Sequence, residues 1–209
     1  MSVSELARLA ELGVATVYEA SRRTGLLSGS FVQLQPGSRA AGRARIARCA
    51  QDDNLAAHAV MEHVEPGDVL VLSMPEPRPI ALMGDLLAVQ AHVRGVAAVL
   101  VDAAVRDREE IERLGLPVWA RWVHAAGADK LDPGEIDRPV TIGGVQIAPG
   151  DVIVLDADGV VVVERAALQA TLAATELRFG KEEMLRGRLE TGELTLDLMG
   201  LRRRDDATA

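Results

Sequence analysis

Asp85 and the adjacent pair Arg106–Asp107 bracket one apolar stretch of the chain, GDLLAVQAHVRGVAAVLVDAAVRD, from Gly84 to Asp107. Their types suggest a chemistry. A guanidinium offers a planar fork of N–H donors that suits the oxygens of an α-keto acid. A carboxylate is a hard oxygen donor of the kind Mg2+ or Mn2+ takes. If the two ends of the stretch fold back on each other, they form a site for a divalent metal and an α-keto acid. Plainer roles stand beside these. Asp107 followed by Glu110 fits a capping box for the next helix, and Arg106 can pair with Glu109 or Glu110 on the surface.

The elements between must deliver those ends. Gly84 lacks a Cβ, so a ligand can approach its backbone closely. Asp85 to Arg94 reads as a helix whose first amides have no internal partner. That makes a carboxylate site from Gly84, Asp85, Leu86 and Leu87. The alternative there is an ordinary strand-to-helix turn. Gly95 ends the helix, Val96 to Val101 reads as a buried strand, and Asp102 to Val105 as a loop. Arg106–Asp107 then falls just past the C-terminal end of a parallel strand, where ligands bind in α/β folds. Asp102 either holds Arg106 or caps the loop.

The flanking chain supports this layout. Residues 4–22 read as one or two short helices with Leu6, Leu9, Leu12, Val14 and Val17 as apolar positions, and Ser2 with Glu5 fits a capping box. Phe31 to Cys49 is strand-like with a break at Pro36–Gly37. Asp52, Asp53 and Asn54 lead into the helix LAAHAVMEHV. Pro66–Gly67–Asp68 starts an apolar strand, and the same three residues recur at Pro149–Gly150–Asp151. Asp107 to Leu114 is a helix ended by Gly115, and Pro117 to Ala120 a strand. Alternating strands and helices imply parallel pairing with right-handed crossovers. From Pro139 to Val163 the texture turns β, with hairpin signals at Gly143–Gly144 and Asp158–Gly159. Glu164 to Glu190 is helical, with Gly180 as a point where it can bend. The apolar tail from Leu194 to Leu201 has little of its own chain to pack on, which predicts a homo-oligomer.

Composition narrows the function classes. Of 209 residues, 48% are apolar and 2% aromatic, so the core is aliphatic. The net charge of −8, with no basic stripe, argues against nucleic acid, and Arg202 to Arg204 reads as a solvated tail. No apolar run approaches the ~20 residues of a membrane span. A single cysteine, Cys49, read as a buried inert thiol, fits a reducing cytoplasm. His58, His63, His92 and His124 read as surface or packing residues with no partner at ligand spacing. Dinucleotide, P-loop, serine-hydrolase and HExxH motifs are missing. The two lysines, Lys130 and Lys181, lie outside apolar strands where an imine-forming lysine would be desolvated. A metal is therefore the natural electron sink for any aldol chemistry.

Taken together these residues resemble the RraA-like family, which contains class II 4-hydroxy-4-methyl-2-oxoglutarate/4-carboxy-4-hydroxy-2-oxoadipate aldolases and regulators of ribonuclease E activity. The resemblance runs from DNLAAHAV and PGDVLVL to the tail KEEMLRGRLETGELTLDL. Its specific core is Asp85, the residues 86 to 105, then Arg106–Asp107. The fold it implies is a layered α/β sandwich of the swivelling β/β/α type. That fold has a central, mostly parallel βαβ unit, and its C-terminal helix packs on a neighbouring subunit. The whole chain would be one domain, with an oligomerisation helix and arm over about 164–201. The implied activity is metal-dependent cleavage to pyruvate in a cytoplasmic trimer or hexamer, with oxaloacetate decarboxylation on the side. The implied roles are Asp107 as the one direct ligand of Mg2+ or Mn2+, Asp85 holding water on the metal, and Arg106 with the amides of Gly84 to Leu87 binding substrate. Glu182, or else Glu183, from a neighbouring subunit would complete the site. Ala103 departs from the family's usual glycine, so the 102–105 loop is expected to differ. A partner-binding regulator on the same fold is the rival reading. A third reading, a quinone methyltransferase, is disfavoured because the chain shows no glycine-rich strand-to-helix loop of the sort a methyl-donor site needs.

Overall fold

The computed structural model describes residues 3–202. Two helices open it, α1 (Val3–Leu12) and α2 (Val14–Ala20), followed by strands β1 (Val32–Gln33) and β2 (Ala40–Arg48). A short helix α3 (Leu55–Ala59) precedes β3 (Asp68–Ser73) and β4 (Ala81–Met83). Then come α4 (Asp85–Val93), β5 (Ala98–Val105), α5 (Arg108–Leu114) and β6 (Val118–Val123). The β-rich part holds β7 (Glu135–Ile136), β8 (Val140–Ile142), β9 (Val145–Ile147), β10 (Val152–Asp156) and β11 (Gly159–Val163). Helices α6 (Leu168–Glu190) and α7 (Thr195–Leu198) close the described chain. The Ser2 half of the predicted N-terminal cap, and Arg203–Arg204, lie outside the described residues.

Among those residues the main sheet has the order β1-β6-β5-β3-β2-β10-β11, with β4 added beside β5 and β7 beside β2. Strands β2, β3, β5 and β6 pair in parallel, while β10 and β11 continue the sheet antiparallel. The strand–helix–strand alternation read from the sequence is thus the parallel centre of the fold. Its apolar residues divide by strand parity. Leu70, Leu72, Val99, Val101 and Val105 join the core under α3, α4 and α5. Val69, Val71, Ala98 and Leu100 face the opposite core, against Trp119 and the β8–β9 hairpin. Successive side chains alternate faces along a strand, so an unbroken apolar run reads as a strand covered on both sides.

Three details differ from the sequence expectation. Asp102 to Val105 is not a loop but the last half of β5, fully buried. Ala103 sits inside this strand with ordinary backbone, so no glycine is called for there. Asp102 neither holds Arg106 nor caps a loop; it forms a buried ion pair with Arg121 of β6. Helix α6 runs through Gly180 without a break.

The recurring Pro-Gly-Asp turns are two copies of one device. Asp68 accepts the amide of Glu65 at 3.0 Å, and Asp151 accepts that of Ala148 at 2.9 Å. Gly67 and Gly150 both lie at positive φ, 88° and 84°. The strands they start flank β2 on its two sides.

Helix α6 packs its first turns on α1 and α2 through Leu168 and Leu172. Beyond that, Leu177 and Met184 stand out from the chain, as do Leu194, Leu196, Met199 and Leu201 at the C-terminal end.

Candidate active site

The apolar stretch does bring its ends together. Strand β4 lies parallel to β5, and α4 returns the chain between them. The Arg106 amide donates to Met83 O at 3.0 Å. The Asp85 amide donates to Asp107 Oδ2 at 3.1 Å, across 22 residues of sequence. Arg106 Nε lies 3.6 Å from the same Asp107 oxygen. A Cβ on Gly84 would stand 2.5 Å from Asp107 Oδ2 and 3.1 Å from Arg106 Nε, so only glycine leaves room for this convergence.

Asp107 stands at the N-cap of α5 but makes no side-chain cap bond. Its φ of 57° and ψ of 45° are left-handed, a conformation costly for residues other than glycine and found where the fold imposes it. The carboxylate turns away from its own helix toward Asp85. Glu110 pairs with Arg113 instead of forming the other half of a capping box. The plain reading of Arg106–Asp107 as a surface pair and helix cap is therefore not what the fold does with them.

Two cavities meet at the Arg106 side chain. One, of about 100 Å3, is lined by Gly84, Asp85, Leu86, Leu87 and Arg106 together with Asn54, His58, Gly127 and Lys130. The other, of about 360 Å3, lies between Arg106, Asp107, Val123 and His124. Of the four amides expected to bind a carboxylate, two are already engaged by the site's own acids. Asp85 N donates to Asp107, and Leu86 N donates to Asp85 Oδ1 at 2.8 Å. A substrate carboxylate would compete with Asp85 for the helix start.

Asn54, His58, Gly127 and Lys130 were not legible as site residues. The segment carrying Gly127 and Lys130 is pinned by backbone bonds: Ala81 N to Ala126 O at 2.7 Å and Asn54 N to Asp129 O at 2.9 Å. A Cβ on Gly127 would lie 2.7 Å from Arg106 Nη1, so this glycine seats the guanidinium. His58 was read as a surface or satisfied histidine, yet its Nε2 is buried without a hydrogen-bond partner. Burial, and after it the charge of Lys130, hold the imidazole below its ordinary pKa. The available signal was spacing, since Asn54 and His58 stand four apart at the start of α3. His63 and His92 are exposed, as expected.

Glu182 lies on the outward half of α6, paired with Arg178 at 2.8 Å, and Glu183 pairs with Arg186. Neither lines the two cavities. Among the described residues no group of three or more His, Cys, Asp or Glu side chains clusters as a metal cage. The donor set at the site is hard carboxylate oxygen, Asp107 with Asp85 beside it, on a ledge that a Cβ at residue 84 would fill. That set suits a small divalent cation that keeps much of its water.

The class defined so far is a layered α/β protein with a carboxylate–guanidinium cleft at the end of a parallel strand. The sequence profile of the RraA-like family, described as aldolase/RraA, matches residues 14–162. The chain belongs to this family. It is 33% identical over 157 residues to a protein of Halalkalibacterium halodurans named "Putative 4-hydroxy-4-methyl-2-oxoglutarate aldolase", covering 75% of each chain. A Burkholderia multivorans protein of the same name is 37% identical over 143 residues, 66% of this chain and 87% of that one. Streptomyces coelicolor RraAS2, titled an unusual member of the RNase ES inhibitor RraA protein family, superposes with a TM-score of 0.79 at 29% identity. That match covers 89% of this chain and 97% of the other.

Proposed function

We propose that this protein is a divalent-metal-dependent class II aldolase. It cleaves a 4-hydroxy-2-oxo dicarboxylic or tricarboxylic acid, of the 4-hydroxy-4-methyl-2-oxoglutarate type, to pyruvate and a second carbonyl compound. The supporting observation is the one bond from the Asp85 amide to Asp107, with Arg106 beside it. It draws two acids and a guanidinium from distant parts of the sequence into one cleft.

Asp107 would hold Mg2+ or Mn2+, and the metal when bound supplies Lewis-acid chemistry that draws charge toward the keto oxygen. The chain's own residues do the rest. Arg106 donates to the keto oxygen and stabilises the negative charge that grows there. The amides at the start of α4 receive the substrate carboxylate, in competition with the Asp107 and Asp85 carboxylates that accept two of them. Asp85 orients a water and, through it, takes the proton from the 4-hydroxyl. The C4–O bond becomes a carbonyl, the C3–C4 pair moves to C2–C3, and protonation at C3 gives pyruvate. Preorganised donors of this kind are each worth about 3–4 kcal/mol of barrier. Oxaloacetate decarboxylation passes through the same enolate and is the expected side activity.

The active form would be a homo-oligomer. The outward apolar side chains Leu177 and Met184 of α6, and those of the arm, need a cover. Helix α4 offers one beside the cleft, an exposed stripe of Leu86, Val89 and Val93. Such docking would bring Glu182 of one subunit toward the Asp107 of the next.

The test is pyruvate release from 4-hydroxy-2-oxo acids, followed with lactate dehydrogenase, with and without EDTA. Asp107→Ala is expected to abolish the metal-dependent activity. Full activity in that variant with metal present would remove Asp107 as the ligand.

The second reading, a non-catalytic regulator of a ribonuclease, is favoured by the likeness to RraAS2. Capture of the nuclease, with no pyruvate from any hydroxy-keto acid, would select it.

A further inference from the structure

The foot of the sheet, at the strand ends opposite the cleft, carries a groove that the chain leaves open. It lies between α1, the start of β2 and the Pro66–Gly67–Asp68 turn, with a volume of about 460 Å3. Its floor is short and apolar, formed by Leu6, Ala7, Ala10 and Ala40. Arg39 and Arg43 stand on its rim, and Arg165 lies beyond them in a second hollow that shares Arg43. Two acids also line the groove, but each is engaged elsewhere: Glu11 pairs with Arg8, and Asp68 with Arg45. Arg39 Nη1 donates to the backbone oxygen of Glu11 at 2.8 Å, and among the described residues no carboxylate pairs with it.

This chemistry selects the occupant. A small metabolite is oriented by a few convergent polar groups. Among the described residues, none of the buried unpaired polar atoms lies here. A nucleic acid strand asks for aromatic faces and positive charge. No aromatic residue lines the groove, and the chain as a whole carries −8. An aliphatic, acidic polypeptide segment meets both the floor and the rim.

The chain contains such a segment. Leu194, Leu196, Met199 and Leu201 of the C-terminal arm are exposed, with Glu190, Glu193 and Asp197 among and before them. Glu193 and Asp197 pair with Arg188 and Arg202 on the surface. Exposed pairs of that kind contribute little, so they exchange readily for others. Helix α6 holds the arm away from its own groove. Its 23 residues span about 34 Å at 1.5 Å each, and it is the other end of α6 that packs on α1.

We propose that the arm of one subunit docks in the groove between α1 and the Pro66–Gly67 turn of a second copy. Its leucines cover the alanine floor, and Asp197 exchanges Arg202 for Arg39 of the receiving subunit. The contact is heterologous: each subunit gives one arm and receives one, and the assembly closes as a ring. The docking rests on the homo-oligomer reading above and not on the aldolase reaction. The α6–α4 contact beside the cleft and the arm contact at the foot then use different surfaces.

Disulfide trapping on the full chain tests it. Cys49 is buried and stays out of the exchange. Ala7 is exposed at the groove, so Ala7→Cys is tolerated. The double variant Ala7→Cys/Leu196→Cys, oxidised and run denatured without reductant, is expected to form dimers and a ladder above them. Either single variant should give at least tenfold less of these species. A double variant that runs as a monomer, unlinked or closed within its own chain, overturns the docking. Preferential capture of Leu196→Cys by Val89→Cys on α4 overturns it as well. Light scattering separates this from the homo-oligomer reading: a native assembly without the cross-link sinks the groove alone, and a native monomer sinks both. Arg39→Glu should raise the dissociation constant of the assembly at least tenfold, and Asp197→Arg in the same chain should restore it. No weakening, or no recovery, counts against the docking.

Discussion

Gly127 shows how a residue without chemistry can control one that has it. The Arg106 guanidinium lies where a Cβ at 127 would be 2.7 Å from Nη1. In Gly127→Ala something must shift, and the nearest movable group is the guanidinium. Displacement of a positioned donor by about 1 Å costs on the order of 100-fold in rate. The expected outcome is at least a tenfold fall in kcat/KM for pyruvate release with an unchanged circular dichroism spectrum. A fully active variant would show that Arg106 does not work from this position. From sequence, Gly127 was invisible for a physical reason: its role depends on a contact between segments about twenty residues apart, and its backbone is not left-handed. The convergence of Asp85, Arg106 and Asp107 was legible because they stand at the two ends of one strand–helix unit, which the parallel pairing of β4 with β5 brings together.

At the scale of elements, β5 carries two charged groups with different duties. Asp107 follows its end in the cleft. Asp102, inside the strand, is spent on the ion pair with Arg121 of β6. The Arg121 guanidinium also stacks on Phe31, 5.0 Å from the ring centre. Burial pushes the Asp102 carboxyl up, and Arg121 opposes it. Removal of one partner of a buried pair strands the other charge, at about 3 kcal/mol or more. Arg121→Met should lose about that much by urea unfolding at neutral pH. The sign with pH follows. A carboxyl whose folded pKa stands above its unfolded value makes the fold less stable as pH rises through that interval. The deficit of Arg121→Met should therefore shrink on acidification toward the carboxyl's raised pKa. An equal deficit at every pH would mean that lost packing, not the stranded charge, is responsible. Helices α1, α2, α4 and α5, the parallel strands and both hairpins were readable from periodicity and from glycine turns. The extent of β5 was not, because an aspartate followed by two alanines looks like a strand end. Only the pairing of Asp102 with Arg121 across neighbouring strands lets that acid stay in the sheet.

For the molecule as a whole, the question is what covers α6 and the arm. Their exposed apolar side chains are what the sequence foretold, and the proposed homo-oligomer is the surface that would cover them. If the site is shared between subunits, Asp107→Ala and Glu182→Gln damage different halves of it. Each alone should be inactive or nearly so. Mixed, unfolded together and refolded, they should regain part of the activity, because some interfaces would then combine two intact halves. No recovery from hetero-oligomers verified by mass would place Glu182 outside the active site. The net charge of −8 constrains such an assembly, because like-charged subunits associate only where apolar area outweighs their repulsion.

One buried atom has a practical side. Cys49, the single cysteine, follows β2 and packs beneath α3, the helix that carries His58 and starts at Asn54. Burial pushes its thiol up to about 12, so in the folded chain it is neither a thiolate nor within reach of a reagent. Labelling at that sulfur must wait for the region to open. The protein thus carries an intrinsic stopwatch directly under its own cleft, and whatever fills the cleft and steadies α3 should slow the clock.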